Sequence, residues 1–273
     1  MVATIKNNKL TSLVIGFFVL VTVWWIALNL SGEQGGFDNY LFGAVYGTTV
    51  SLFGGIVGLV AAKQWGGWKS LMGRAIMFLS FGLLAEFFGQ TVNSCYNLIL
   101  GVEILYPSLG DVGFFGNIPF YLIGIILLAM ASGVKISLKS FYSQIQAVIF
   151  PVTLLFFSYM LFLRGYEFDW SKPLTIFLDF GYPLGQALYV SVALLTYSLS
   201  RKVLGGIMRN QITFLLVAFV AQYLADSTFL FYNANGMYYV GNIVDYLYFV
   251  SYTLMTLGLI KLRMTAQSLR RSN

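Results

Sequence analysis

The chain has 273 residues, 58% of them hydrophobic and only 10% charged, against roughly 25% charged in soluble domains, so it reads as one integral membrane domain spanning residues 1–273. Sixteen Lys and Arg stand against ten Asp and Glu, histidine is absent, and Cys95 is the single cysteine. Those counts exclude a Ser-His-Asp or Cys-His catalytic apparatus, an internal disulfide and a metal site built from His and Cys.

In chain order, eight apolar stretches approach the roughly 20 residues that a bilayer core requires. They fall at about 11–30, 39–62, 75–98, 112–132, 145–163, 176–199, 211–232 and 243–261. The first follows Lys6 and Lys9 like a signal peptide, but its apolar run is too long for one, so it is expected to stay as an anchor. The second carries Gly43, Gly47, Gly54 and Gly58, two Gly-xxx-Gly pairs read as close helix packing. On the third, Glu86, Gln90, Asn93 and Asn97 stand at i, i+4, i+7 and i+11, one face of a helix. A carboxylate and three amides on one face are costly in lipid, so this face is expected to look into the bundle. The loop Leu105-Tyr106-Pro107-Ser108-Leu109-Gly110-Asp111 leads into the fourth stretch. Between the fifth and sixth, Arg164-Gly-Tyr-Glu-Phe-Asp-Trp170 reads as an interfacial belt in preference to a ligand lid. The seventh repeats the polar spacing with Gln222, Asp226, Phe229 and Asn233.

Charge sets the topology. Lys6, Lys9, Lys63, Lys69, Arg74, Lys135, Lys139, Arg201, Lys202, Arg209, Lys261, Arg263, Arg270 and Arg271 fall on one side of the eight-span arrangement. Only Arg164 and Lys172 fall on the other, which carries Glu33, Asp38, Glu103, Glu167 and Asp169. The positive-inside rule then places both termini in the cytoplasm, and the basic excess is a topology signal, with no nucleic-acid partner implied.

An internal repeat organises the whole. Asp111, Phe115 and Gly124 match Asp245, Phe249 and Gly258 at a shift of 134, and Ala85-Glu86 recurs as Ala225-Asp226 at a shift of 140. Asp38, Asp111, Asp179 and Asp245 each open an even-numbered stretch, which suggests four helical hairpins in one orientation. Capping of the helix start explains each Asp locally. Alternatively Asp111, Asp179, Asp226 and Asp245 converge near one end on a cavity walled by Tyr182, Tyr248 and Tyr252, with Gln186 on the face of Asp179.

Pro107, Ser108 and Asp111, then Tyr182, Pro183 and Gly185, then Ala225 and Asp226, and finally Asp245 carry a resemblance. The chain is similar over residues 75–262 to the multi-span sensor regions found ahead of prokaryotic diguanylate cyclases and histidine kinases. The resemblance implies an all-α sensory module of a prokaryotic plasma membrane without its own output domain. The leading expectation is a non-enzymatic sensor or accessory subunit that binds a small or lipidic ligand and acts through a protein partner or a second copy. Candidate ligand-binding residues are Glu86, Gln90, Asn93, Asn97, Asp111, Asp179, Tyr182, Gln186, Gln222, Asp226, Asp245, Tyr248 and Tyr252. The alternatives are a proton-coupled transporter and, behind it, an intramembrane hydrolase using Glu86 and Asp226 as acid and base.

Overall fold

A computed structural model describes residues 8–32, 34–102, 104, 106–132, 141–200 and 209–272. Lys6, Glu33, Glu103, Leu105, Lys135, Lys139, Arg201 and Lys202 lie outside the described residues. The described chain is helical throughout: α1 (Lys9–Ser31), α2 (Phe37–Gln64), α3 (Leu71–Ser94), α4 (Gly110–Ala131), α5 (Phe141–Ser158), α6 (Pro173–Ser200), α7 (Arg209–Ala234) and α8 (Ile243–Ser272). Wider π turns extend α3 over Cys95–Leu100 and α5 over Tyr159–Leu163. Seven of these helices are long and apolar enough to cross a membrane. The exception is α6, which is long enough but diluted by Asp179, Gln186, Tyr182 and Tyr189. It packs against α4, α5 and α7, so little of its surface needs to be apolar for lipid.

Six helices form a closed ring in the order α2, α3, α4, α6, α7, α8, with α8 returning to α2. Outside it, α1 lies on α2 and α8, and α5 lies on α6. The two outer helices expose their apolar side chains, Leu13 and Leu20 on one and Val148 and Val152 on the other, as helices facing a lipid bilayer do. The ring is a more direct description of the neighbours than separate hairpins, because α3 packs extensively on both α2 and α4.

Glycines set how closely the ring closes. A Cβ at Gly54 would collide with the Thr256 hydroxyl of α8 and, at 2.8 Å, with Leu83 of α3; one at Gly47 would meet the Gln90 side chain at 2.7 Å. The glycine pairs of α2 are therefore packing surfaces, as the spacing implies. On α3, Gly89 receives the Phe114 ring and Gly82 the Tyr121 ring.

Two of the six ring contacts join helices that run the same way. Along α4 and α6, Phe115 meets Gly181, Ile118 meets Gly185, and Tyr121 meets Tyr189. Along α2 and α8, Tyr46 meets Phe249, and Gly54 meets Thr256. The two seams are the same contact made twice. Tyr46 sets its ring edge-on to Phe249 at 5.9 Å, and Tyr182 does so to Phe115 at 5.6 Å. Phe115 and Phe249 are repeat mates. The triplets α2–α4 and α6–α8 thus occupy equivalent halves of the ring, each with one outer helix. The fully buried aromatics Tyr46, Tyr121, Tyr189, Phe219, Phe249 and Tyr252 fill the middle.

Candidate functional site

The polar stripe of α3 turns inward at its start: Glu86 is 0% and Gln90 8% exposed. Glu86 accepts hydrogen bonds from the Tyr252 hydroxyl at 2.7 Å, from Gln222 Nε2 at 2.9 Å and from Asn117 Nδ2. The same Gln222 nitrogen reaches Asp226 Oδ2 at 3.0 Å. One amide on α7 therefore links the acid of the first half with that of the second. Asp226 also accepts from Gln186 and from the Tyr248 hydroxyl. The Gln222 oxygen takes the Ser251 hydroxyl at 2.9 Å, and Gln90 donates to Tyr252 at 3.3 Å. Neutral donors from α4, α6, α7 and α8 thus surround two carboxyl groups in the centre of the bundle. No Lys or Arg is among these partners.

Above Asp226, at the end of the ring opposite Lys63, Arg74 and Arg263, a cavity of about 80 Å³ opens. A single water needs roughly 10–15 Å³ of such space, so the cavity has room for several waters or one compact ligand. Its wall includes Gln90, Asn93, Asn97, Asp111, Tyr182, Asp226, Asp245 and Tyr248. Asn97 reaches it from the π turn rather than from a continued α-helix. Glu86, Gln186, Gln222 and Tyr252 lie beneath, in the network that ends at Asp226 on the cavity floor.

The entry aspartates do more than cap. Asp111 accepts the backbone N–H of Ser108 at 2.7 Å and the Tyr182 hydroxyl at 2.7 Å. Asp245 accepts the backbone N–H of Gly241 at 2.7 Å and the Tyr238 hydroxyl at 3.1 Å, with the Tyr46 hydroxyl beside it. Each Asp ties down the loop leading into its own helix and has a tyrosine of the facing half beside it, Tyr182 donating to Asp111 and Tyr46 adjoining Asp245, which is the repeat expressed in side chains.

Comparison of the chain with protein-family models, with curated proteins and with solved structures finds no match.

Asp179 stands apart. Helix α6 begins at Pro173, which places Asp179 in its second turn rather than at its start. It faces a second, more open groove of about 410 Å³ beside the cavity and receives the Tyr106 and Tyr166 hydroxyls at 2.8 and 2.7 Å. Burial and the neighbouring Asp179 push Tyr166 up to about 12 and Tyr106 well above the ordinary tyrosine range, so both stay protonated donors. Tyr106, Leu230 and Asn233 line both hollows and form the wall between them. In the loop before α6, Phe168 and Trp170 stack on each other and are exposed, as an interfacial belt requires.

Sequence reasoning misses Tyr46, Tyr238 and Asn117. Tyr46 would have been found by carrying the repeat one helix further, since Tyr46 and Tyr182 are equivalent, whereas Tyr238 stands in the loop before α8, where the repeat supplies no matching tyrosine. Asn117 carries the signal of an amide in an apolar helix, which marks an inward face as Glu86 does.

Proposed function

We propose that the chain is a non-enzymatic, multi-pass sensor or accessory subunit of a prokaryotic plasma membrane. It binds a small ligand in the cavity at the acidic end and acts through a partner protein. The observation that carries this reading is the continuity from cavity to core: Asp226 is both the floor of the cavity and a partner of Gln222, which reaches Glu86. A ligand that shifts Asp226 changes the hydrogen bonds joining the two halves, and a bistable contact of that kind is what signal transfer requires. In this reading α6 is the eighth span, both termini are cytoplasmic, and the cavity opens outward.

The buried acids favour a second reading, a proton-coupled carrier. Glu86 and Asp226 sit in two equivalent halves, and transporters are also built from parallel repeats. One preparation separates the two. In proteoliposomes of a Cys95→Ala, Ser268→Cys protein, a fluorophore at position 268 reads the basic end of α8, while an internal dye reads proton flux. The sensor reading expects the fluorophore signal to differ between that protein and one with Ala44→Trp filling the cavity, without flux. Proton flux abolished by Glu86→Gln would replace the sensor with the carrier. Identical fluorophore signals would sink transmission from the cavity.

A further inference from the structure

The charge of the cavity wall is one-sided. Three carboxylates line it, Asp111, Asp226 and Asp245, and no Lys or Arg is among the described residues of its wall. Four of the tyrosine hydroxyl protons on the wall are already committed: Tyr106 donates to Asp179, Tyr182 to Asp111, Tyr238 to Asp245 and Tyr248 to Asp226. The two serines are committed as well, Ser94 to the Gln90 carbonyl and Ser108 to Asp111. Acceptors remain. Oδ1 of each of the three aspartates receives a single side-chain hydrogen bond, and a carboxylate oxygen has room for two. Asn93 is on the same wall, and its amide oxygen, beside Gly110, is buried with no hydrogen-bond partner. Tyr106, Phe114 and Phe229 line the cavity as well, and aromatic rings are compatible with a bound cation.

We propose that the ligand of this cavity is a compact primary ammonium ion, whose N–H groups fill the vacant acceptors of the aspartates and Asn93. The inference rests on the pocket reading above and narrows it. An anion would meet three carboxylates and no counter-charge. A neutral alcohol brings one donor where four acceptors wait. A quaternary ammonium ion has charge but no N–H, and so leaves those acceptors unmet. The ammonium group can come from a soluble amine or from the headgroup of an ethanolamine lipid.

Calorimetry on the protein in phosphatidylcholine nanodiscs, referenced to empty discs, tests the class with four probes: ethylammonium, ethanol, acetate and tetramethylammonium. The expected result is saturable binding of ethylammonium, at least tenfold tighter than the other three. Asp245→Asn and Asp226→Asn are each expected to weaken it about 10- to 100-fold, the range for losing a hydrogen bond to a charged group. The probe series on the unaltered chain decides the matter even where a variant fails to fold. Discs containing phosphatidylethanolamine identify the source: competition against ethylammonium assigns the lipid headgroup, and an unchanged affinity assigns a soluble amine. Tighter binding of acetate or ethanol, or equal binding of tetramethylammonium, would overturn the ammonium class while leaving the pocket. Lack of binding by all four would overturn the class too. The pocket reading itself falls only if, in addition, Ala44→Trp leaves the signal at position 268 unchanged.

Discussion

Gln222 is the residue on which the two halves depend most directly. Its amide nitrogen serves Glu86 and Asp226 together, and its oxygen accepts from Ser251. Gln222→Leu keeps most of the volume but removes a donor from two buried carboxyl oxygens. Leaving such groups short of partners costs about 1–3 kcal/mol. Unfolding in detergent should register that loss, whereas Thr228→Ala, which removes only an exposed bond to its own helix, should change stability little. Equal effects would mean that the central network contributes no more than the exposed Thr228 bond. A second expectation concerns Tyr252, which supplies Glu86 Oε2 with its hydroxyl bond. Tyr252→Phe keeps the ring packing and should cost about 1 kcal/mol in the same measurement. Apart from Asn117 and Ser251, the residues of this network were legible one by one, because a polar group in an apolar helix must face protein. Their pairing was not, since the i, i+4 rule places a side chain on a face but cannot name what stands opposite. Asp179 illustrates the limit: three residues of uncertainty at the start of α6 turned an expected helix entry into a second-turn position facing another groove.

Helix α2 works as an element because its glycines let α3 and α8 approach on two sides at once. Gly54 and Gly58 are its tightest points, and at Gly54 a Cβ would meet Thr256 and Leu83 together. Gly54→Val is expected to cost about 1–3 kcal/mol through overpacking, and more if the α2–α8 seam separates. Gly16 in α1 provides the comparison, for nothing lies within 4 Å of its added Cβ. Gly16→Val should leave unfolding unchanged within about 0.5 kcal/mol. A comparable loss at both sites would show that the glycines matter for helix backbone alone and not for contact. The Gly-xxx-Gly spacing made this face readable in advance. Nothing in the spacing revealed that it serves two neighbours, one antiparallel and one parallel, because that follows from ring closure. The π turn at Cys95–Leu100 was likewise hidden: apolar periodicity averages over a turn and does not resolve one that widens.

At the scale of the molecule, composition alone fixed the helical membrane class, and the shifts of 134 and 140 pointed to duplication. The way two copies assemble was beyond the sequence, because repeat mates identify equivalent residues and not the residues they touch. The ring supplies that step. Its two parallel seams, α4 with α6 and α8 with α2, are the places where one half meets the other, each carrying a Tyr–Phe pair and a Tyr–Asp contact. The antiparallel contact of α7 with α8 lies wholly within the second half, while α2 with α3 and α3 with α4 lie wholly within the first. A chain divided between residues 136 and 137 therefore cuts no intra-half contact among the described helices. Co-expressed pieces 1–136 and 137–273 should copurify as a one-to-one complex through the two seams and the Gln222 bridge. Tyr46→Ala or Tyr182→Ala in the divided protein should each weaken copurification, because each removes one copy of the same contact, and the double change should abolish it. In the undivided chain the same substitutions should act less severely, since the covalent connection holds the halves at high effective concentration. Pieces that fold separately yet never associate would mean that the seams contribute little. Loss from one tyrosine with none from the other would show that the two seams have diverged in strength despite their shared geometry.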